Sequence, residues 1–136
     1  MPSRINRPVT YLDEIDVLVI HAKIIEATGG SEGVREINLV KGAIARPQSQ
    51  VFGKELFVSV FEKAASYFDS ISRNHPFVDG NKRTAFALAV RFLYLNNYEF
   101  NASNKQIELY VVEAVERHHE IKEVASWFEE HSKYIE

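Results

Sequence analysis

The sequence predicts an all-α fold of roughly six helices packed around one buried helix. Apolar residues recur at helical spacing in segment after segment, and no stretch shows a strand's sustained alternation of apolar and polar positions. A third observation marks the centre. Lys82 to Asn96 is apolar on nearly every face, through Ala85, Phe86, Ala87, Leu88, Ala89, Val90, Phe92, Leu93 and Leu95. A helix without a polar face belongs inside.

The elements follow in order. Tyr11 to Ala27 reads as a first helix, capped by Thr10 with Asp13 as a weak capping-box partner. Its expected inward stripe is Leu12, Ile15, Val19 and Ala22, widened by Leu18 and Ile25. Gly29 and Gly30 end it, since glycine accepts the left-handed turn that closes helices. Glu36 to Arg46 is a short helix with Leu39, Val40 and Ile44 inward, stopped by Pro47. Gln48 to Lys54 is irregular and suits a small flap loop or hairpin. Lys54 to Ile71 reads as a long helix by Leu56, Phe57, Val60, Phe61, Ala64 and Phe68. A loop, Asn74 to Asn81, leads into the apolar helix. Another helix starts at Ser103 or Asn104 and runs through Ile107, Val111, Ala114 and Val115. Glu120 to Tyr134 gives a last one, anchored by Val124, Trp127 and Phe128.

The 136 residues suit one compact domain, 1–136, and contain no repeat or linker. With 46% hydrophobic and 26% charged residues there is material for one core. A net charge of -3 argues against a broad nucleic-acid surface, which needs clustered Lys and Arg. Absence of cysteine removes disulfides and thiolate chemistry. No apolar run approaches the roughly 20 residues that span a bilayer, and Met1 to Thr10 lacks the apolar stretch of a secretory signal. A cytoplasmic protein is expected.

The chemistry concentrates in His75-Pro-Phe-Val-Asp-Gly-Asn-Lys-Arg-Thr-Ala85, directly before the most apolar helix. Unpaired N–H groups at a helix start, with the helix dipole, form an anion site. Gly80 lets backbone approach a ligand. Asn81 can cap the helix or donate to a phosphate oxygen. Lys82 and Arg83 add positive charge. Asp79 offers the hard oxygen that magnesium takes alongside phosphates. Histidine is the usual general base near neutral pH, which makes His75 the candidate. Pro76 and Phe77 fix the loop, one by its locked φ and one by burying its ring. Several anion-binding devices converge here, more than a merely capped helix requires.

This string resembles the Fic/Doc motif H-x-F-x-[D/E]-[A/G]-N-[G/K]-R. Thr28-Gly-Gly-Ser-Glu-Gly-Val-Arg35, Ala43-Ile-Ala-Arg-Pro-Gln48 and Phe92-Leu-Tyr-Leu-Asn-Asn-Tyr98 resemble other parts of the family's Doc branch, so the likeness spans roughly Tyr11 to Tyr98. The resemblance implies a helical bundle in which His75 deprotonates a hydroxyl on a target protein and Asp79 holds Mg2+. It further implies that Gly80, Asn81, Lys82 and Arg83 cradle the phosphates of ATP, and that Phe77 anchors the loop. Arg46, Pro47 and Gln48 lie where the family's substrate-aligning flap would be, which gives main-chain pairing with a target as one reading and an ordinary loop as the other.

The AMP-transferring Fic pattern has glycine at the position of Lys82 and a second arginine at that of Phe86. Their absence matches the Doc branch, which implies a toxin of a toxin–antitoxin pair that transfers the γ-phosphate and blocks translation, with elongation factor Tu the expected target. Gly80 points the other way, because glycine at that position resembles the Fic pattern. AMP transfer is therefore the alternative, and a silent nucleotide- or antitoxin-binding module is a third reading. The string Thr28 to Gly33 fits the self-inhibitory pattern [S/T]-x-x-x-E-[G/N], but its glycines put it in a loop, so inhibition is expected from a separate antitoxin. His118 and His119 are adjacent on a helix, point apart and make a poor metal pair. His21 reads as a satisfied, partly buried histidine, and Tyr11, Trp127 and Phe128 as core or part of a partner groove. The acidic tail of Glu129, Glu130 and Glu136 reads as a solvated end.

Overall fold

A computed structural model describes residues 7–136. It has six α-helices: α1 (Glu14–Thr28), α2 (Ile37–Ala45), α3 (Val60–Asn74), α4 (Asn81–Leu95), α5 (Asn104–Glu116) and α6 (Ile121–Glu130). Two short antiparallel pairs accompany them. One is the hairpin of β1 (Gln50–Val51) and β2 (Lys54–Glu55); the other joins β3 (Tyr98–Phe100) to β4 (Ser132–Tyr134). The all-α class and the number of helices agree with the sequence reading. No helix among the described residues is long and apolar enough to cross a membrane.

The most enclosed helix is α3, not α4. Phe61, Ala64, Ala65, Tyr67, Phe68 and Ile71 are buried along it, and so are Lys63, Ser66, Ser70 and Ser72. Those polar residues disguise it as a surface helix. Tyr67 accepts the Leu12 N–H at 3.0 Å through its hydroxyl, and burial pushes its pKa up to about 12. Helix α4 buries Thr84, Ala85, Leu88, Ala89, Phe92 and Leu93 against this core, while Arg91 and Tyr94 on its other flank are exposed.

Other boundaries shift for local reasons. Asp13, not Thr10, caps α1: its side chain accepts the Asp16 N–H, and Asp16 returns the bond. The face of α1 also differs. Leu12 and Ile25 are buried as expected, but Val17 and His21 are buried with them, whereas Ile15, Val19 and Ala22 are exposed. Pro47 does not simply stop α2; it sits buried in a short 3-10 turn, Arg46–Gln48. Helix α3 begins at Val60, well after Lys54, because Lys54 and Glu55 are used in the hairpin and Ser59 caps the helix. The hairpin turn, Phe52-Gly53, has φ of 52° and 77°, the mirror-image turn that suits the twist of two strands. Ser103 caps α5 in a capping box with Gln106. The last helix stops at Glu130, since Ser132–Tyr134 pairs with Tyr98–Phe100.

Candidate active site

The loop His75–Gly80 joins the two central helices. His75 is the C-cap of α3, in the left-handed conformation with φ 52° and ψ 60°, and is exposed. Phe77 is 1% exposed and stacks on the buried His21, ring centres 3.7 Å apart and planes 5° from parallel. The expected anchoring position is thus buried, and its partner is a residue on α1. His21 is more enclosed than its sequence position implies: its Nε2–H donates to the Asp79 carbonyl at 2.8 Å.

Asp79 accepts two backbone N–H bonds, from Gly80 at 2.8 Å on Oδ1 and from Ser31 at 3.2 Å on Oδ2. These bonds, Ser31 first, hold its carboxyl below the ordinary value of 3.8, with Arg83 and His21 adding to the effect. The carboxylate is therefore ionised, and each oxygen keeps a second lone pair. That fits Mg2+, which is held by one or two carboxylates and completes its shell with phosphate and water. Among the described residues no three His, Asp or Glu side chains converge into a cage. His118 is exposed, and His119 meets the Tyr110 hydroxyl at 3.2 Å.

Gly80 caps α4 with φ 76°, and no side chain caps that end. The first-turn N–H groups of Asn81, Lys82 and Arg83 have no intrahelical acceptor, and Lys82 and Arg83 are exposed beside them. Asn81 also braces the loop. Its Oδ1 accepts the Phe77 N–H and its Nδ2 donates to the Phe77 carbonyl, both at 3.0 Å. The loop takes Oδ1 and one Nδ2–H, which leaves Asn81 its backbone N–H and the second Nδ2–H to offer an anion. Arg83 donates through Nη1 to the Thr28 hydroxyl.

A Cβ built at position 80 would lie 2.9 Å from Cδ1 of Ile25. Replacing Gly80 by alanine is expected to destabilise the protein by about 1–2 kcal/mol, mainly through the positive φ, because the Ile25 methyl can move. Denaturant unfolding at unchanged slope measures this.

The sequence reading missed the segment that holds the loop. Gly33 O accepts the Val78 N–H at 3.1 Å, Val34 bridges to Phe77, and Arg35 and Glu36 donate their N–H groups to the Pro76 carbonyl. Gly30 lies so close to Asp79 that a Cβ there would stand 2.6 Å from Oδ2. The Thr28–Gly33 segment does reach the site, through Thr28 and the Ser31 amide, while Glu32 is exposed. The stretch Thr28 to Arg35 resembled the family, which was the available signal.

The proposed flap residues divide. Arg46 donates to Asp69 at 2.6 Å and to Ser70 at 3.2 Å, and lies 5.5 Å from the ring centre of Phe57. Its charge is used internally, Asp69 also pairing with Arg73. Pro47 is buried; Gln48 is exposed. The projecting element is the hairpin, with Phe52 fully exposed at its tip. The buried Lys63 ties the hairpin to α3 by donating to Glu55 and to the Phe57 carbonyl.

A groove of about 1270 Å³ opens beside Lys82 and Arg83, walled by Phe86, Val90, Ile107 and Val111 among others. His75 and Asp79 lie outside its walls. A helix start with paired cations, an ionised carboxylate and an exposed histidine define a candidate phosphoryl- or nucleotidyl-transfer centre.

The sequence model of the Fic/DOC family matches residues 11–93, and the chain belongs to that family. It is 44% identical over 92 residues to a protein named Toxin Doc from Mycolicibacterium smegmatis, covering 68% of each chain. It is 31% identical over 101 residues to a protein named Protein kinase doc from Escherichia phage P1, covering 74% of this chain and 79% of that one.

Proposed function

We propose that this protein is a Doc-type toxin that transfers the γ-phosphate of ATP to a hydroxyl side chain of a target protein. The observation that carries the reading is the junction of α3 and α4. There an exposed His75 ends one helix, and the ionised Asp79 stands beside Lys82 and Arg83 at the open start of the next. The two relatives' names, Toxin Doc and Protein kinase doc, support the same class.

His75 takes the proton of the attacking hydroxyl through a ring nitrogen. The hydroxyl oxygen bonds to the γ-phosphorus, the bond to the bridging oxygen breaks, and ADP carries away the displaced charge. Lys82, Arg83 and the first N–H groups of α4 hold the phosphate oxygens, so orientation and neutralisation of charge lower the barrier. Mg2+ on Asp79 would neutralise further phosphate charge when bound. The Ser31 and Gly80 N–H groups keep that carboxylate facing one way, and His21 holds the backbone carbonyl of the same residue.

The target is elongation factor Tu, and its modification blocks translation in the cytoplasm. The hairpin with Phe52 at its tip is the surface we assign to the target. A small antitoxin restrains the toxin, and an amphipathic segment in the groove would reach Lys82 and Arg83. The left-handed backbone at Gly80 gives a reason for glycine there that is independent of which phosphorus is attacked.

Incubating elongation factor Tu with the protein, Mg2+ and ATP tests the reading by intact mass. A gain of one phosphate, absent when ATP is omitted, supports it; a gain of AMP, or none, rejects it. Lys82→Gly is expected to lower γ-phosphate transfer at least tenfold and raise AMP transfer, followed with ATP labelled at either phosphorus. The side chain is exposed, so the fold loses at most about 1 kcal/mol of helix propensity.

A further inference from the structure

Arg35 belongs to none of the groups that meet the nucleotide in that reading. It stands in the connection between α1 and α2, and its Nε, one terminal nitrogen and its backbone N–H turn to the end of α3. Nε donates to the His75 carbonyl at 2.8 Å and a terminal nitrogen to the Asn74 carbonyl at 2.9 Å. Its backbone N–H donates to the Pro76 carbonyl at 2.7 Å, joined by that of Glu36 at 3.0 Å. Three consecutive carbonyls around His75 are thus held by one residue and its neighbour. Among the described residues Arg35 pairs with no carboxylate.

The physical need is plain. The last carbonyls of a helix lack intrahelical donors, and the helix dipole favours a cation there. A left-handed cap is usually glycine or asparagine, yet α3 ends on His75 at φ 52°. The His75 ring makes no hydrogen bond among the described residues, so its placement depends on the backbone that carries it. A planar guanidinium can bond two successive carbonyls at fixed angles, which a lysine ammonium cannot match.

We propose that Arg35 is a positioning residue that fixes the backbone of Asn74 and His75 and so aims the imidazole; this rests on His75 being the base. Arg35→Ala is expected to lower kcat for phosphoryl transfer by about 10–100-fold, the scale of a small misplacement of a reacting group. KM for ATP should stay within about twofold, because Arg35 holds no phosphate. Arg35→Lys should fall between, and millimolar methylguanidinium should restore part of the Arg35→Ala rate, since the site is exposed.

Carbonyl carbon shifts of Asn74 and His75, together with the φ-dependent HN–Hα coupling of His75, give a readout independent of turnover. Both should move in Arg35→Ala while the shifts of the α4 core stay in place. Unmoved signals at those two residues would overturn the proposal, as would kcat within twofold of wild type, or a loss matched by the unfolded fraction. If wild-type protein transfers no phosphate, the reading of His75 as base fails, and the carbonyl shifts still decide whether Arg35 sets its backbone.

Discussion

Substituting His75 by alanine or asparagine is expected to lower phosphoryl transfer by about 10²–10⁴-fold, the contribution of a positioned general base. The fold should survive both changes. His75 is exposed, and the contacts of its residue run through the backbone: its N–H donates to Ile71 at 3.3 Å and its carbonyl accepts from Arg35. Asparagine is the sharper control, because it tolerates the left-handed conformation at φ 52° better than alanine. Steady-state transfer and thermal unfolding measured on the same preparations separate chemistry from stability. Unchanged transfer in both variants would remove His75 from the mechanism.

Phe77→Ala carries the largest expected effect on stability, about 3–5 kcal/mol. The ring is enclosed, stacks on His21, and sits under the Val34 bridge. Its removal leaves a cavity between α1 and the loop and frees His21, whose Nε2–H holds the Asp79 carbonyl. Phe77→Leu keeps most of the apolar volume and should cost less, about 1–2 kcal/mol. Denaturant midpoints at constant slope give both values. An alanine variant within 1 kcal/mol of wild type would mean that the loop is held without this ring.

These predictions rest on a layer of contacts that the sequence only partly discloses. The family motif was legible because its residue types and order are specific, and the helices because their apolar spacing is regular. The inward face of α1 was only partly legible. Leu12 and Ile25 were placed inward, but isoleucine, leucine and valine occur around much of that helix, so periodicity did not separate Ile15 and Val19 from Val17, and a histidine in the buried line looked polar. The centre was misplaced for a related reason. Buried Lys63, Ser66, Ser70 and Ser72 made α3 look amphipathic, while the groove leaves one flank of α4 open. Strands of two or three residues are too short for alternation to register, which hid Lys54–Glu55 and Ser132–Tyr134.

Within the site, the misses share one cause. His21, Ser31 and Arg35 act on backbone carbonyls, or through a backbone amide, on residues at least 39 positions away. Such bonds leave no spacing pattern in the chain. The Arg46 side chain, by contrast, bonds Asp69 and Ser70 on α3, a pairing that its place in the flap segment gave no sign of.

The central claim is that the α3–α4 junction transfers a γ-phosphate to a protein hydroxyl. Its most direct test gives elongation factor Tu, Mg2+ and this protein ATP labelled on the γ-phosphorus in one reaction and on the α-phosphorus in another. Label from the γ position alone, bound to a hydroxyl residue of the target and lost with His75→Asn, is the expected result. Label from the α position, or γ-label that persists with His75→Asn, would contradict it.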